Sequence, residues 1–218
     1  MPKVLIAGGG SGGHVAPAIA VAEELQSQGV EILLGHSGRK VDLAMIEQTG
    51  FEHTTIPAAP LYLSPKGLFT FCKQFKNATI ETLNLIESHK IACVLSTGGF
   101  VAAPALRAAH KSDTTTVLLN LDNPPGKANR LAIRWADYKL STVECGWDDA
   151  TLVPLPLRKE SIEHPDPESC KKALGLDPRL STLLVTGASQ GAKTINELIP
   201  LIAKQSGYAF KGWQVLHI

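Results

Sequence analysis

No apolar run in this sequence reaches the length needed to cross a bilayer, which excludes a transmembrane helix of ordinary composition. Neither sign of charge is in excess. Lys and Arg number 21 against 20 Asp and Glu, and a net +1 supplies no field to gather nucleic acid. Any anion must be bound locally, and no nucleic-acid partner is expected. The four cysteines, Cys72, Cys93, Cys145 and Cys170, never stand in C-x-x-C spacing, so neither a thiolate metal site nor a disulfide framework is indicated. His53, His89, His110, His164 and His217 show no ligand spacing, and no Asp-x-Asp pair is present. No metal and no cofactor are therefore expected. The opening "MPKVLIAGGG" has no signal-peptide core or cleavage site, which predicts a cytoplasmic protein.

What the sequence has is alternation. "KVLIA", "VEILLG", "EHTTIP", "ACVLST" and "TTVLLN" read as strands, separated by "APAIAVAEELQSQG", "VDLAMIEQTG", the long segment 64–90 and "VAAPALRAAHKS" as helices. Fully apolar strands between amphipathic helices predict an α/β fold, a Rossmann-like parallel sheet covered on both faces. "ADYKLST" and "ATLVP" add two further strands. The polar, proline-bearing "KESIEHPDPESCKKALGLDPRLS" reads as a linker with a short helix. Beyond it "TLLVTGAS", "AKTINELIPLIAKQSG" and "WQVLHI" restart the pattern. This divides the chain into a first domain, 1–158, and an incomplete second Rossmann-like domain, 159–218. One βαβ unit cannot bury both faces of its strands, so the chain is expected to be a fragment or to be completed by another chain.

The strand "VLIA" runs directly into Gly8, Gly9, Gly10, Ser11, Gly12, Gly13 and His14 before a helix. Gly8, Gly10 and Gly13 satisfy G-x-G-x-x-G in strand–turn–helix context, where bare backbone lets a phosphate approach unpaired helix N–H groups. The alternative is a tight turn whose glycines only permit close packing. The device recurs after later strands, at "STGGF" (Gly98, Gly99, Phe100) and "GASQGA" (Gly187, Ser189, Gln190, Gly191). Three such loops at strand carboxyl ends predict a cleft facing a phosphorylated ligand. A dinucleotide would want an acidic residue ending the second strand, and "LLGHSGRK" offers none. Ser37, Arg39 and Lys40 could instead hold the extra phosphate of NADP, so an NADP-binding oxidoreductase remains an alternative. Against it, no Tyr-x-x-x-Lys or comparable hydride-transfer set is present. An ATP-binding P-loop is excluded, because neither glycine cluster carries an adjacent Gly-Lys.

"GGSGGHVAPAIAVAEEL", "LSTGGFVAAPALRAA", "PLPLR" and "GASQGAKTINELIP" occur in this order along the whole chain. Together they resemble the MurG family of N-acetylglucosamine transferases, over its N-terminal domain and the start of its C-terminal domain. The resemblance implies the N-terminal Rossmann-like domain of a GT-B type enzyme. It also implies an inverting transfer from UDP-N-acetylglucosamine to a lipid-linked muramoyl-pentapeptide acceptor, at the inner face of the cytoplasmic membrane, in peptidoglycan precursor synthesis. It carries the donor-contacting Thr-Gly-Gly onto Ser11, Gly12 and Gly13, and assigns His14 as general base. Asn123, Arg158 and Ser189 become substrate-binding residues. Gly98, Gly99 and Phe100 then shape the acceptor pocket, and Gly187, Gln190 and Gly191 a phosphate loop. "LNLDN" replaces the family's His-Glu-Gln-Asn, and "PLPLR" lacks the glycine and asparagine of its counterpart. The later family segment holding uracil and most of the sugar is absent, so this chain alone is expected to be inactive. An acceptor-binding subunit of a split transferase is a further alternative, with a missing C-terminal half as partner.

In "LYLSPKGLFTFCKQFKNA", helical spacing gives Phe69, Lys73, Lys76 and Ile80 one face and turns Leu68, Phe71 and Phe75 toward the core. Aromatics ringed by lysines suit contact with an anionic membrane surface through Phe69, Lys73 and Lys76. The alternative is an ordinary core helix with a solvated lysine face. Asp122, before "NPPG", suits a turn as well as a ligand.

Overall fold

Strand β1 (Lys3–Gly8) sorts its side chains by alternation: Leu5 and Ala7 enter one buried cluster and Ile6 the other. Successive strand side chains point to opposite faces, so this split requires a layer on each side. The computed structural model describes residues 1–62, 64–162, 166–187, 191–205 and 211–218. It supplies both layers within a unit spanning Met1–Glu160. Around β1 come α1 (Gly12–Ser27), β2 (Glu31–His36), α2 (Lys40–Ile46), β3 (Glu52–Thr55), α3 (Pro65–His89) and β4 (Ile91–Gly98). There follow α4 (Ala102–Lys111), β5 (Thr115–Asn120), α5 (Lys127–Ala132), β6 (Tyr138–Ser141) and β7 (Thr151–Leu152).

The seven strands form one sheet in the order β3-β2-β1-β4-β5-β6-β7, every pair parallel. Helices α1 and α2 cover the Ile6 face through Val15, Ile19, Ala22 and Ile46. Helices α3, α4 and α5 cover the Leu5 face. Helix α4 lies close because its sheet side is almost all alanine, with Ala102, Ala103, Ala105, Ala108 and Ala109 buried. The chain runs outward from β1 to β3 and then resumes at β4 on the other side of β1. That reversal opens a crevice at the carboxyl ends of β1 and β4, the position where open parallel sheets bind ligands.

Helix α3 starts sharply. The Ser64 hydroxyl accepts from the Gly67 N–H at 3.1 Å, Pro65 holds the first helical position, and Lys90 ends the helix at φ 51°. At 25 residues it is roughly 37 Å long. Its buried residues, Ala78, Thr79, Thr82 and Ile86, all lie in the second half. The amino-terminal turns are therefore uncovered.

The second unit, Ser161–Ile218, pairs β8 (Ser181–Val185) in parallel with β9 (Trp213–His217), with Leu183 beside Val215. The four-residue α6 (Lys159–Ile162) spans the division between units. Helix α7 (Pro167–Ala173) is capped by Asp166, which accepts from the Ser169 N–H at 2.9 Å, and α8 (Lys193–Gln205) links the strands. None of the described residues of this unit is fully buried.

Candidate functional site

The glycines after β1 are bare for different reasons. A Cβ on Gly8 would overlap the Thr97 hydroxyl and stand 2.9 Å from the His14 carbonyl oxygen. One on Gly9 would lie 2.8 Å from Asp42 Oδ2, and one on Gly10 (φ +94°) 2.5 Å from the Phe100 ring. Packing alone demands these three. Gly13 differs, because a Cβ there would meet only Ser11 Oγ, at 3.8 Å, and its φ is not left-handed. The fold leaves open space over the first turn of α1. Ser11 is the N-cap residue, yet its hydroxyl makes no capping bond. Among the described residues nothing accepts from the N–H groups of Gly12 or Gly13. The helix thus presents unpaired donors and its positive dipole end to the crevice.

His14, in that same turn, is held by β4. Its Nδ1 lies 3.1 Å from the Thr97 carbonyl oxygen, and the Thr97 hydroxyl donates back to the His14 carbonyl at 2.7 Å. A carbonyl can only accept, so the neutral ring carries its hydrogen on Nδ1 and keeps its lone pair on Nε2. That is the tautomer a general base requires. Gly98 (φ +108°) and Gly99 (φ +77°) allow this approach. A Cβ on Gly98 would sit 2.8 Å from His14 Nδ1, and one on Gly99 would overlap the Gly9 carbonyl oxygen. Both glycines are therefore explained by packing of the β4 loop against the β1 loop.

Sequence reasoning missed the brace beneath this arrangement. Asp42, fully buried in the first turn of α2, accepts from the Gly10 N–H at 3.0 and 3.1 Å. It also accepts from the Ser37 N–H at 3.0 Å and from the Ser37 hydroxyl. Arg39 donates to the Gly10 carbonyl at 3.0 Å and lies 4.9 Å over the Phe100 ring. The acid absent from the end of β2 arrives on the following helix, five residues after Ser37. Of the candidates for an NADP phosphate, Ser37 is bonded to the Asp42 carboxylate, which repels a second anion. Arg39 is engaged by the Gly10 carbonyl and the Phe100 ring, and Lys40 is exposed at the start of α2.

Asn123 stands exposed before a cis bond to Pro124, with Asp122 exposed beside it. Behind them Asn120 donates to the Asp122 carbonyl at 2.8 Å and to Ser141 Oγ at 3.1 Å, and Asn129 donates to Asn120 Oδ1 at 3.1 Å. Arg158 turns away from the β1 loop. It pairs with Glu23 at 3.4 Å and Glu160 at 2.6 Å, while the Lys159 N–H reaches Glu23 at 3.1 Å. Glu23 lies roughly 16 Å along α1 from Gly12, so Arg158 fastens the segment after β7 to that helix. In the second unit Gly187 is required by its own loop, since a Cβ would meet Gly191 at 2.6 Å. Gly191 has φ +72°. Ser189 and Gln190 lie outside the described residues.

At the uncovered end of α3, Phe69 is 73% exposed, and Lys73 and Lys76 are exposed near it. Leu68 is exposed as well, contrary to the expectation that it turns inward, because no layer covers the first turns of the helix. Phe71 and Phe75 do turn inward, and Phe75 packs on Trp135. A cavity of about 350 Å³ lies between this end and the β4 loop, lined by Pro60, Leu61, Phe71, Phe100, Ala103 and Lys127 among others. No helix among the described residues is long and apolar enough to cross a membrane.

Similarity to known proteins agrees with this geometry. The chain is 35% identical to a UDP-N-acetylglucosamine–N-acetylmuramyl-(pentapeptide) pyrophosphoryl-undecaprenol N-acetylglucosamine transferase of Streptomyces coelicolor, over 98% of this chain and 60% of that protein. The protein of the same name from Leifsonia xyli subsp. xyli is also 35% identical, over 100% of this chain and 62% of its own length. The chain thus spans about three fifths of the curated relatives it matches. Its fold superposes on MurG of Acinetobacter baumannii with a TM-score of 0.71 at 21% identity, covering 99% of this chain and 68% of that one. It superposes on a UDP-GlcNAc 2-epimerase of Neisseria meningitidis bound to UDP-GlcNAc with a TM-score of 0.62 at 15% identity, covering 99% and 64%. Residues 4–140 match the glycosyltransferase family 28 N-terminal domain, and the chain belongs to that family.

Proposed function

We propose that this chain forms the acceptor-binding and base-bearing part of an inverting glycosyltransferase. The reaction moves N-acetylglucosamine from UDP-N-acetylglucosamine to a lipid-linked muramoyl-pentapeptide. The observation that carries this reading is His14: its Nδ1–H is tied to the Thr97 carbonyl, and its free Nε2 stands beside the open first turn of α1. In the transfer, Nε2 takes the proton of the acceptor hydroxyl as that oxygen attacks the anomeric carbon, and UDP departs from the opposite face. The unpaired Gly12 and Gly13 N–H groups and the Ser11 hydroxyl are suited to a phosphate or sugar oxygen. The names of the curated relatives support the donor and acceptor classes. Uracil recognition is assigned to the family segment beyond the matched length, so nucleotide binding by this chain alone is expected to be weak.

The apolar end of α3 supports a peripheral seat on the cytoplasmic face of the membrane. Leu61, Tyr62, Leu68 and Phe69 are exposed together there, with Lys66, Lys73 and Lys76 nearby. The neighbouring apolar cavity suits the first units of a lipid chain whose phosphates meet Lys127 at its rim. Phe69→Ser or Lys73→Glu should weaken binding to anionic vesicles without unfolding the chain, each lysine contributing roughly 1 kcal/mol that salt screens. Vesicle binding indifferent to salt and to both changes would remove the membrane assignment. The transfer itself is tested by His14→Ala in the chain completed with the remaining family length. Turnover should fall by about 10²–10⁴. Near-normal turnover, or tight NADP binding with none for UDP-N-acetylglucosamine, would overturn the reading.

A further inference from the structure

One buried polar atom beside His14 has no partner. Asn129, on α5, is 2% exposed, and its Oδ1 accepts no hydrogen bond. The orientation of its amide is fixed by the network behind it. Asn120 uses its Nδ2 for the Asp122 carbonyl and Ser141 Oγ, so its Oδ1 can only accept, and Asn129 must present Nδ2 to it. Asn129 Oδ1 therefore points elsewhere. It lies 3.2 Å from the point where a Gly98 Cβ would stand, and His14 Nδ1 and Cε1 lie 2.8 and 3.0 Å from that same point. The amide oxygen and the Nδ1–Cε1 edge of the imidazole thus face one gap, which exists because residue 98 has no side chain. Leaving a buried amide oxygen unpaired costs its desolvation with no return, so a fold that keeps one invites a reason.

We propose that Asn129 is a positioning residue for His14, its carbonyl dipole stabilising the ring when it carries a positive charge. As Nε2 takes up a proton the charge spreads over Nδ1 and Cε1, the edge that Asn129 Oδ1 faces. A dipole buried away from water acts on that charge more strongly than an exposed one would. Of the charged side chains on the adjoining elements, Asp42 is bonded to Gly10 and Ser37, Arg39 to the Gly10 carbonyl and the Phe100 ring, and Arg130 to the Pro125 carbonyl, while Lys127 of α5 is exposed. The consequence for catalysis rests on the proposed role of His14 as base. The electrostatic coupling itself does not.

The test is an NMR titration of His14 in the full 218-residue chain, its resonances assigned with His14→Gln. Asn129→Ser removes the amide oxygen and is small enough for the space. Asn129→Asp puts a full negative charge in its place. The imidazole pKa should fall by roughly half a unit in the first and rise by about one unit or more in the second. A merely structural role would leave both unchanged or move both in one direction, and either result overturns the proposal. Should the aspartate variant not fold, an unchanged pKa in the serine variant overturns it alone. The coupling is measured without UDP-sugar, so it can succeed while the transferase reading fails, and the reverse.

Discussion

The two units are written in the same local grammar and differ in what surrounds it. Each has an apolar strand running into a glycine loop, a helix and a parallel return strand. In Met1–Glu160 the grammar is repeated until seven strands lie side by side, and Leu5, Ile6, Leu33, Val94 and Leu118 are sealed from solvent. In Ser161–Ile218 two strands pair, Leu184 is 57% exposed and Leu198 and Leu201 stay exposed on α8. Two strands beside α7 and α8 give too little sheet to seal, and none of the described residues of this unit is fully buried. The loops differ in the same way. The β1 loop is held by residues distant in sequence, Asp42, Thr97 and Phe100, whereas among the described residues the atoms nearest a Gly187 Cβ belong to its own loop, Gly191 and Ala192. A glycine loop becomes a defined site through the neighbouring strands, not through its own spacing.

The strongest test of this contrast exchanges equal side chains across it. Leu5→Ala, in the middle of the seven-stranded sheet, should cost about 2–5 kcal/mol, through lost burial plus the cavity left behind. Leu184→Ala, at an exposed position of β8, should stay within about 0.5 kcal/mol. Denaturant unfolding followed by backbone NMR reads each unit separately. Comparable losses at the two sites would mean that β8 is covered as well as β1. Amide exchange should agree, with β1 and β4 protected to the global limit and β8 opening far more readily.

A finer comparison lies within the β1 and β4 loops. Gly99→Ala drives a methyl group into the Gly9 carbonyl at a left-handed φ, and should cost more than about 2 kcal/mol. Gly13→Ala meets open space in a helical turn and should leave the melting temperature unchanged or raise it, since alanine is favoured over glycine there by up to about 1 kcal/mol. If the space over Gly13 receives a substrate oxygen, the same methyl should abolish activity in the completed protein. A stable Gly13→Ala protein with full activity would take the α1 N-terminus out of the site.

The extent to which this site could be read from sequence follows the same division. Strands β1, β2, β4 and β5 announce themselves as apolar runs, and α3 by Ser64, Pro65 and its length, because those signals are local. The glycine loop that ends in His14 at a helix start was legible for the same reason. Asp42, Thr97 and Asn129 were not. Their partners lie 32, 83 and 9 residues away along the chain, and no spacing rule connects them. Helix α5 went unread because "KANRLA" is short and follows a Pro-Pro-Gly turn. The inward turn expected of Leu68 failed because periodicity gives a face and not what covers it.

The smallest predicted effect is one of pH, and it too should separate the units. His36 is buried at the end of β2. Its Nδ1 accepts from the Gly38 N–H at 3.0 Å, so its Nε2–H faces His53 Nδ1 at 3.1 Å. Burial first, and the neighbouring His53 second, hold its pKa below 6.5, with Asp42 and Glu47 pulling weakly the other way. The unfolded chain then binds more protons than the folded one between the lowered value and about 6.5, so stability rises with pH across that window. The first unit should be most stable above about pH 6.5 and weaken as pH falls through the lowered value. The second unit carries a different group. Hydrogen bonds from Arg179 hold the Asp177 carboxyl down to about 2, so any contribution it makes is intact above the ordinary carboxylate range and lost only as pH falls toward 2. Amide exchange of Leu34 and Leu183, corrected for intrinsic rates, should therefore diverge as pH falls from about 6.5 through the lowered His36 value, with Leu34 alone losing protection. His36→Gln should flatten the Leu34 profile while leaving Leu183 as it was. A Leu34 profile that kept its slope in that variant would assign the acid sensitivity of the first unit to some other group.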